Sequence, residues 1–397
     1  MRTKAPANPA TLAAGPDAGV ALLPPAKSDA AYLAQYTRAR ILAARAGHAV
    51  AVATLADPSA ALGENVRLAD DGRTILATVP GRAVLRDGKV SIEPTLEFRS
   101  DLGAAFGPID FPGDVAVGRD VLDNANLSCD GPLTVGGAIE AAAVRAGGAL
   151  VVDGGILGKH RGTVAAASVR AHFIDRVTVT AAGDVACHRE IAASTAIASG
   201  KIDVPGGTII GGRLVANAGV FCGSLGNAAG VRTVVEVGVD EAFRSTLPAC
   251  LAAVDAQQAK ARRMEQSVAP LLALGKTLSE AQKERATQLI YEASEATEQA
   301  ARAATDLQER QARATASARA EVHVADVLYP GVVILLPGYQ VQIATPFQGP
   351  LIVCLRGGTG GPPEVCVVEP GGGGLQVLSA ESRPEDPTST TSARRAA

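Results

Sequence analysis

Between residues 113 and 222 the chain repeats a small residue followed by alternating apolar positions at a nearly constant interval. The units read GDVAV from Gly113, GPLTV from Gly131, GALVV from Gly148, ASVRA from Ala167, GDVAC from Gly183, GKIDV from Gly200 and AGVFC from Ala218. Their starts lie 18, 17, 19, 16, 17 and 18 residues apart. Within a unit the apolar residues fall two apart, as Val115 with Val117 or Ile202 with Val204, which is the period of a strand with one buried face. Further apolar segments, with Ile139, Val144, Ile156, Val164, Ile191 and Ile197, lie between the units, so each repeat holds several short strands. About eighteen residues are too few for a βα unit or a four-stranded propeller blade but suffice for one coil of a narrow solenoid. The spacing predicts a parallel β-helix over residues 111–244, with about seven coils stacked roughly 4.8 Å apart in a rod about 34 Å long. Periodicity alone leaves its handedness open. Gly113, Gly131, Gly148, Gly183 and Gly200, with Gly211 and Gly212, are expected at turns.

The composition agrees with narrow layers. Gly numbers 43, aromatic residues make up 3% and Trp is missing, whereas Ala, Val, Ile and Cys fit a column of stacked side chains. The charge balance, 37 Lys plus Arg against 40 Asp plus Glu, offers no basic excess for a phosphate backbone, so nucleic acid is not expected as a partner. The segment MRTKAPANPATLAAGPDAGVALLPP has no continuous apolar stretch of the kind a secretory signal carries. The apolar run near residues 332–336 is far short of the roughly 20 residues a membrane-spanning helix needs. A cytoplasmic location without a membrane span is the expectation. Cys129, Cys187, Cys222, Cys250, Cys354 and Cys366 form no CxxC pair, so neither a zinc site nor any cofactor is expected, and the thiols are read as reduced and buried.

Near residue 245 the chain becomes rich in Ala, Gln, Glu, Lys and Arg. Residues 245–320 are predicted to form an antiparallel helical hairpin. Pro270 weakens the end of its first arm, Gly275 permits the turn, and Thr277 with Glu280 makes a capping box for the second. In the second arm Leu289, Ala293, Ala296, Ala300, Ala303 and Leu307 follow the 4-3 spacing of a coiled-coil seam, and that arm extends about 60 Å at the helical rise. Strand alternation returns with Val322, Val324, Val341 and Ile343, so residues 321–356 are expected to extend or cap the solenoid. Residues 1–28 read as a disordered arm, 29–110 as a small, partly β region with a short helix near residues 32–46, and 357–397 as a Gly-rich, disordered tail.

The central segment resembles the flagellar assembly protein A family. The likeness is carried by GENVRLADDGRTILATVPGRAVLRDGKVSIEP from Gly63, GGILGKHRGTV from Gly154 and GTIIGGRLVANAGVFCGSLGNAAGVRTVVEVGVD from Gly207, then a helical hairpin and a return with YPGV from Tyr329. It covers roughly residues 63–355, while residues 1–62 lack the glycine-rich strands of the family's first domain. The resemblance implies a right-handed β-helix and a scaffold or regulatory part in flagellar placement or assembly. It carries over no catalytic residues.

Chemical motifs fail on context. Gly275-Lys276-Thr277 ends like a P-loop but has Pro270 where the earlier glycine belongs, and Gly223-Ser224-Leu225-Gly226 has Cys222 at the first glycine of a nucleophile elbow. Asp153, Asp184 and Asp203 fall out of phase with the apolar positions and should face solvent. A non-enzymatic scaffold with a protein partner is therefore the leading expectation. The rivals are a bactofilin-like, polymer-forming homo-oligomer and a solenoid acyltransferase using His160, His172 or His188 as base.

Overall fold

The computed structural model describes residues 20–22, 43–53, 57–274, 280–357, 363–370 and 374–382. Its main body is a β-solenoid whose coils each present three walls. The alternation read from the sequence places one side chain per wall and coil inward, and parallel hydrogen bonding sets it on its counterpart one coil below. The Ile-rich wall shows this directly: Leu102, Val121, Ile139, Ile156, Ile174, Ile191, Ile209, Leu225 and Leu328 stand in register through nine levels. A second column runs from Leu96 through Val115, Leu133 and Leu150 to Val322. The third runs from Ile109 through Leu127 and Val144 to Ile334. These columns are sealed from water and form one continuous apolar core, about 40 Å long at the inter-strand spacing.

The stack begins earlier than the repeat suggests. Strands Thr95–Phe98 and Ile109–Phe111 already pair in parallel with the coil above, adding a coil that residues 111–244 did not include. TLEF and IDF lack the small lead residue that marks the later units, which hid this coil from a motif search. Before it, two small antiparallel sheets enclose a separate core built on Val50, Ala51, Ile75, Val90 and Ile92. The helix expected near residues 32–46 is corrected at its end, where Ala43–Ala44 is a strand paired with Gly81 and Arg82; its remainder lies outside the described residues. The arm over 1–28, expected to be disordered, is corrected at Val20–Leu22, a strand paired antiparallel with Ala49–Ala53; its remainder lies outside the described residues.

At the far end parallel stacking gives way to antiparallel returns. Leu351–Arg356 lies antiparallel on Glu321–Leu328, and Tyr339–Gln342 on Val332–Leu336, so the last coil's edge is paired. The tail expected to be unstructured from residue 357 contains three more strands among its described residues, Glu364–Val368, Leu375–Val377 and Glu381–Ser382. Val365 and Val367 are buried and Val367 lies opposite Val353, so this segment extends the core despite its glycine-rich flanks. Residues 383–397 lie outside the described residues.

Candidate functional site

The hairpin leaves the shaft at a particular corner. In each coil a short turn joins the third wall to the first wall of the next coil, and its backbone forms a ladder: Gly131 N–H donates to the Gly113 carbonyl at 3.1 Å, Gly148 to Gly131 at 3.0 Å, Gly200 to Gly183 at 3.0 Å and Ala218 to Gly200 at 2.9 Å. At Gly113, Gly131, Gly148 and Gly200 close approach requires the glycine, since a Cβ on Gly131, for example, would stand 2.9 Å from the Gly113 carbonyl oxygen. Gly211 and Gly212 serve differently, with φ of 71° and 81° at another corner. At the last such corner Gly238 N–H still donates to Ala216 at 3.0 Å, and Arg319 N–H to the Asn217 carbonyl at 2.7 Å. Between those two bonds helices α1 (Glu241–Leu274) and α2 (Glu280–Ala316) are inserted.

Each end of the hairpin is tied to a coil. Asp240 caps α1, accepting from Phe243 N–H at 3.1 Å, and the same carboxylate oxygen accepts at 2.9 Å from the hydroxyl of Ser199, two coils below. At the other end Asn217, buried to 1% exposure, donates its amide to the Ala314 carbonyl of the last turn of α2 at 2.9 Å and to the Ser317 hydroxyl at 2.8 Å. Glu236, in the wall strand Thr233–Val237, holds the root electrostatically. Its carboxylate meets Arg244 of α1 at 2.9 Å and Arg213 of the preceding coil at 2.8 Å, and Glu241 closes the cluster against both arginines. Burial pushes the Glu236 carboxyl up, but the hydrogen bonds and charge of Arg244 and Arg213 outweigh it and hold the group below its ordinary value.

Farther out, Ala261 of α1 packs on Ala296 and Ala300 of α2 with Met264 alongside. Ala293 is buried as well, whereas Leu289, Ala303 and Leu307 are half-buried. Thr297 donates to Glu265 across the pair at 3.2 Å. The turn at Gly275 lies outside the described residues. On the outer faces Leu251, Ile290 and Tyr291 are exposed, so the hairpin offers apolar side chains among charged neighbours.

The three histidines named as a base do not converge. His172 and His188 are neighbours on successive coils, ring centroids 6.2 Å apart, and His160 sits at a different corner, with φ of 63°; all three are exposed. His323, which sequence reasoning passed over, stacks on Phe221 at 4.5 Å. Asp153 and Asp184 are exposed and Asp203 half-buried. Cys129, Cys187 and Cys222 lie in the core, where burial pushes the Cys129 and Cys222 thiols up to about 12. Among the described residues no cluster of three or more His, Cys, Asp or Glu side chains is placed to hold a metal ion, and no helix is long and apolar enough to cross a membrane.

Comparison with known proteins gives one family. The description "Flagellar Assembly Protein A beta solenoid domain" matches residues 94–360, a span that opens at the first coil, contains the hairpin and runs past the strand lying on the last coil. No curated protein and no solved structure matches the chain significantly.

Proposed function

The chain belongs to the flagellar assembly protein A family, and on that premise we propose that it is a non-enzymatic scaffold in flagellar assembly or placement, whose hairpin is the partner-binding element. The observation that carries this reading is the rooting of both helices on the shaft: Asp240, Glu236 and Asn217 fix the direction of a two-helix projection whose own seam is narrow and whose outer surface is exposed. A rigid mount for an exposed helical surface is what helix-in-groove or coiled-coil recognition of a protein needs. Family membership also supports right-handed winding, and six unbridged cysteines suit a reducing, cytoplasmic setting.

A filament built by coils joining end to end is less well supported, because antiparallel strands cover the last coil's edge. The hairpin can be removed cleanly for a test. A Cβ on Gly238 would touch Ala320 at 3.0 Å, so residues 239–319 can be replaced by a short turn like those of the earlier corners. We expect the full chain to recover a partner from a flagellated host and the excised form, folded by circular dichroism, to lose it. Equal recovery by both forms would remove the hairpin from the account.

A further inference from the structure

Six cysteines are distributed over the described chain, and two of them differ from the rest. Cys129 stands in register with Phe111 and Ala146, Cys187 with Ala171, and Cys222 with Val204 and Val324, so each of these core thiols has a hydrocarbon neighbour above or below it. Cys354 and Cys366 are instead each other's register partners across the antiparallel strands Leu351–Arg356 and Glu364–Val368. Directly opposed residues of an antiparallel ladder project to the same face with Cα atoms about 4.5–5.5 Å apart, inside the roughly 4.4–6.8 Å span that a disulfide bridges. Cys354 is half-buried and therefore reachable, while Cys366 lies beneath the surface. Burial and then Glu321 hold the Cys354 thiol above its ordinary value, and Arg356 beside it works in the opposite direction, supplying a cation for the thiolate.

The position gives the pair a consequence. Leu351–Arg356 is the strand laid on the last coil, Val353 opposite Val322, and Glu364–Val368 is laid on it in turn, Val367 opposite Val353. A covalent bond one residue along from that Val–Val pair would pin the second covering strand to the first. We propose that Cys354 and Cys366 form a redox couple, a modification site at which an oxidised low-molecular-weight disulfide converts the two thiols into an intramolecular cross-strand bridge that fastens the end of the shaft.

The chemistry balances as two exchanges. The Cys354 thiolate attacks one sulfur of the small disulfide, forming a mixed disulfide and expelling one small thiolate. The Cys366 thiol, losing its proton, then attacks the Cys354 sulfur and expels the second small thiolate. The protein loses two electrons and two protons, and the reagent is reduced to two thiols.

The test uses the full chain incubated with oxidised glutathione and weighed intact, then alkylated and weighed after proteolysis. The expected result is a loss of about 2 Da relative to the reduced chain, a cross-linked peptide pair containing Cys354 and Cys366, reversal by dithiothreitol, and amide exchange in residues 364–368 slowed about tenfold. Cys366→Ser should stop at a stable glutathione adduct on Cys354, and Cys250→Ser should still form the bridge. A wild-type chain that remains fully reduced, that accumulates a glutathione adduct without closing, or that bridges only between molecules would overturn the proposal.

Discussion

The shaft and the hairpin share a preference for small and aliphatic side chains but are stabilised in opposite ways. In the shaft each inward residue is covered above and below by its counterpart on the next coil, and backbone hydrogen bonds tie those coils together. Ile156, Ile174, Ile191 and Ile209 are all fully buried. In the hairpin the backbone is satisfied within each helix, and the contact between helices rests on alanines such as Ala261, Ala296 and Ala300. Burying an alanine methyl contributes far less than burying an isoleucine at roughly 25 cal/mol per Å². Orientation in the shaft is therefore set at every level, whereas in the hairpin it is set mainly at the root, by a few polar and charged groups.

The largest effect should follow a cavity in the shaft. Ile191→Ala removes fully buried carbons from the middle of a nine-level column, and a loss of about 3–4 kcal/mol in denaturant unfolding is expected, because the coils above and below cannot collapse into the gap. If the loss stays below about 1 kcal/mol, the shaft is softer than its register implies and the contrast with the hairpin fails.

A smaller and more local effect is expected at the root. Glu236→Gln leaves Arg213 and Arg244 facing a neutral amide. The side chain is only 5% exposed, but the arginines keep 38% and 23% contact with solvent, so the cost is discounted to about 1–2 kcal/mol. It should appear as faster amide exchange at the start of α1 with the shaft unchanged. The carboxyl is held below its ordinary value of 4.5, so its contribution is complete above pH 4.5 and disappears as pH falls through the depressed folded value. Acid titration followed by exchange should therefore release the root in the wild type and show no such step in Glu236→Gln. A pH-independent root would break the electrostatic part of the comparison.

The smallest effect is expected on the hairpin's outer face. Arg302 pairs with Glu298 at 3.3 Å with both side chains largely exposed, and Arg302→Ala should change stability by no more than about 0.5 kcal/mol. A larger change would mean that the exposed face carries structural weight of its own.

Much of this architecture could be read from the residues. The apolar alternation predicted both the wall strands and their inward side chains, since a period of two leaves no choice of face once one side is buried. The gain of Ala, Gln and Glu after residue 245 marked the helices for an equally local reason. The Glu364–Val368 strand was missed because glycine-rich flanks outweighed the alternation of Val365 and Val367, and the Thr95–Phe98 coil because it opens without a glycine. At the root, Asp240 before EAF carried a readable helix-capping signal. Arg213, Glu236 and Asn217 carried none, being single polar residues, the first two inside wall strands and Asn217 in the turn that follows one.

The amino-acid order by itself determined that coils of about eighteen residues would stack and that two helices would interrupt them, because repeat length and helical composition act between near neighbours. Only the tertiary structure decided where the interruption is anchored and which cysteines meet. Asn217 reaches Ala314 and Ser199 reaches Asp240 only after the intervening chain has folded and returned. Such meetings depend on how coils stack and strands turn back, and they leave no period in the sequence to read.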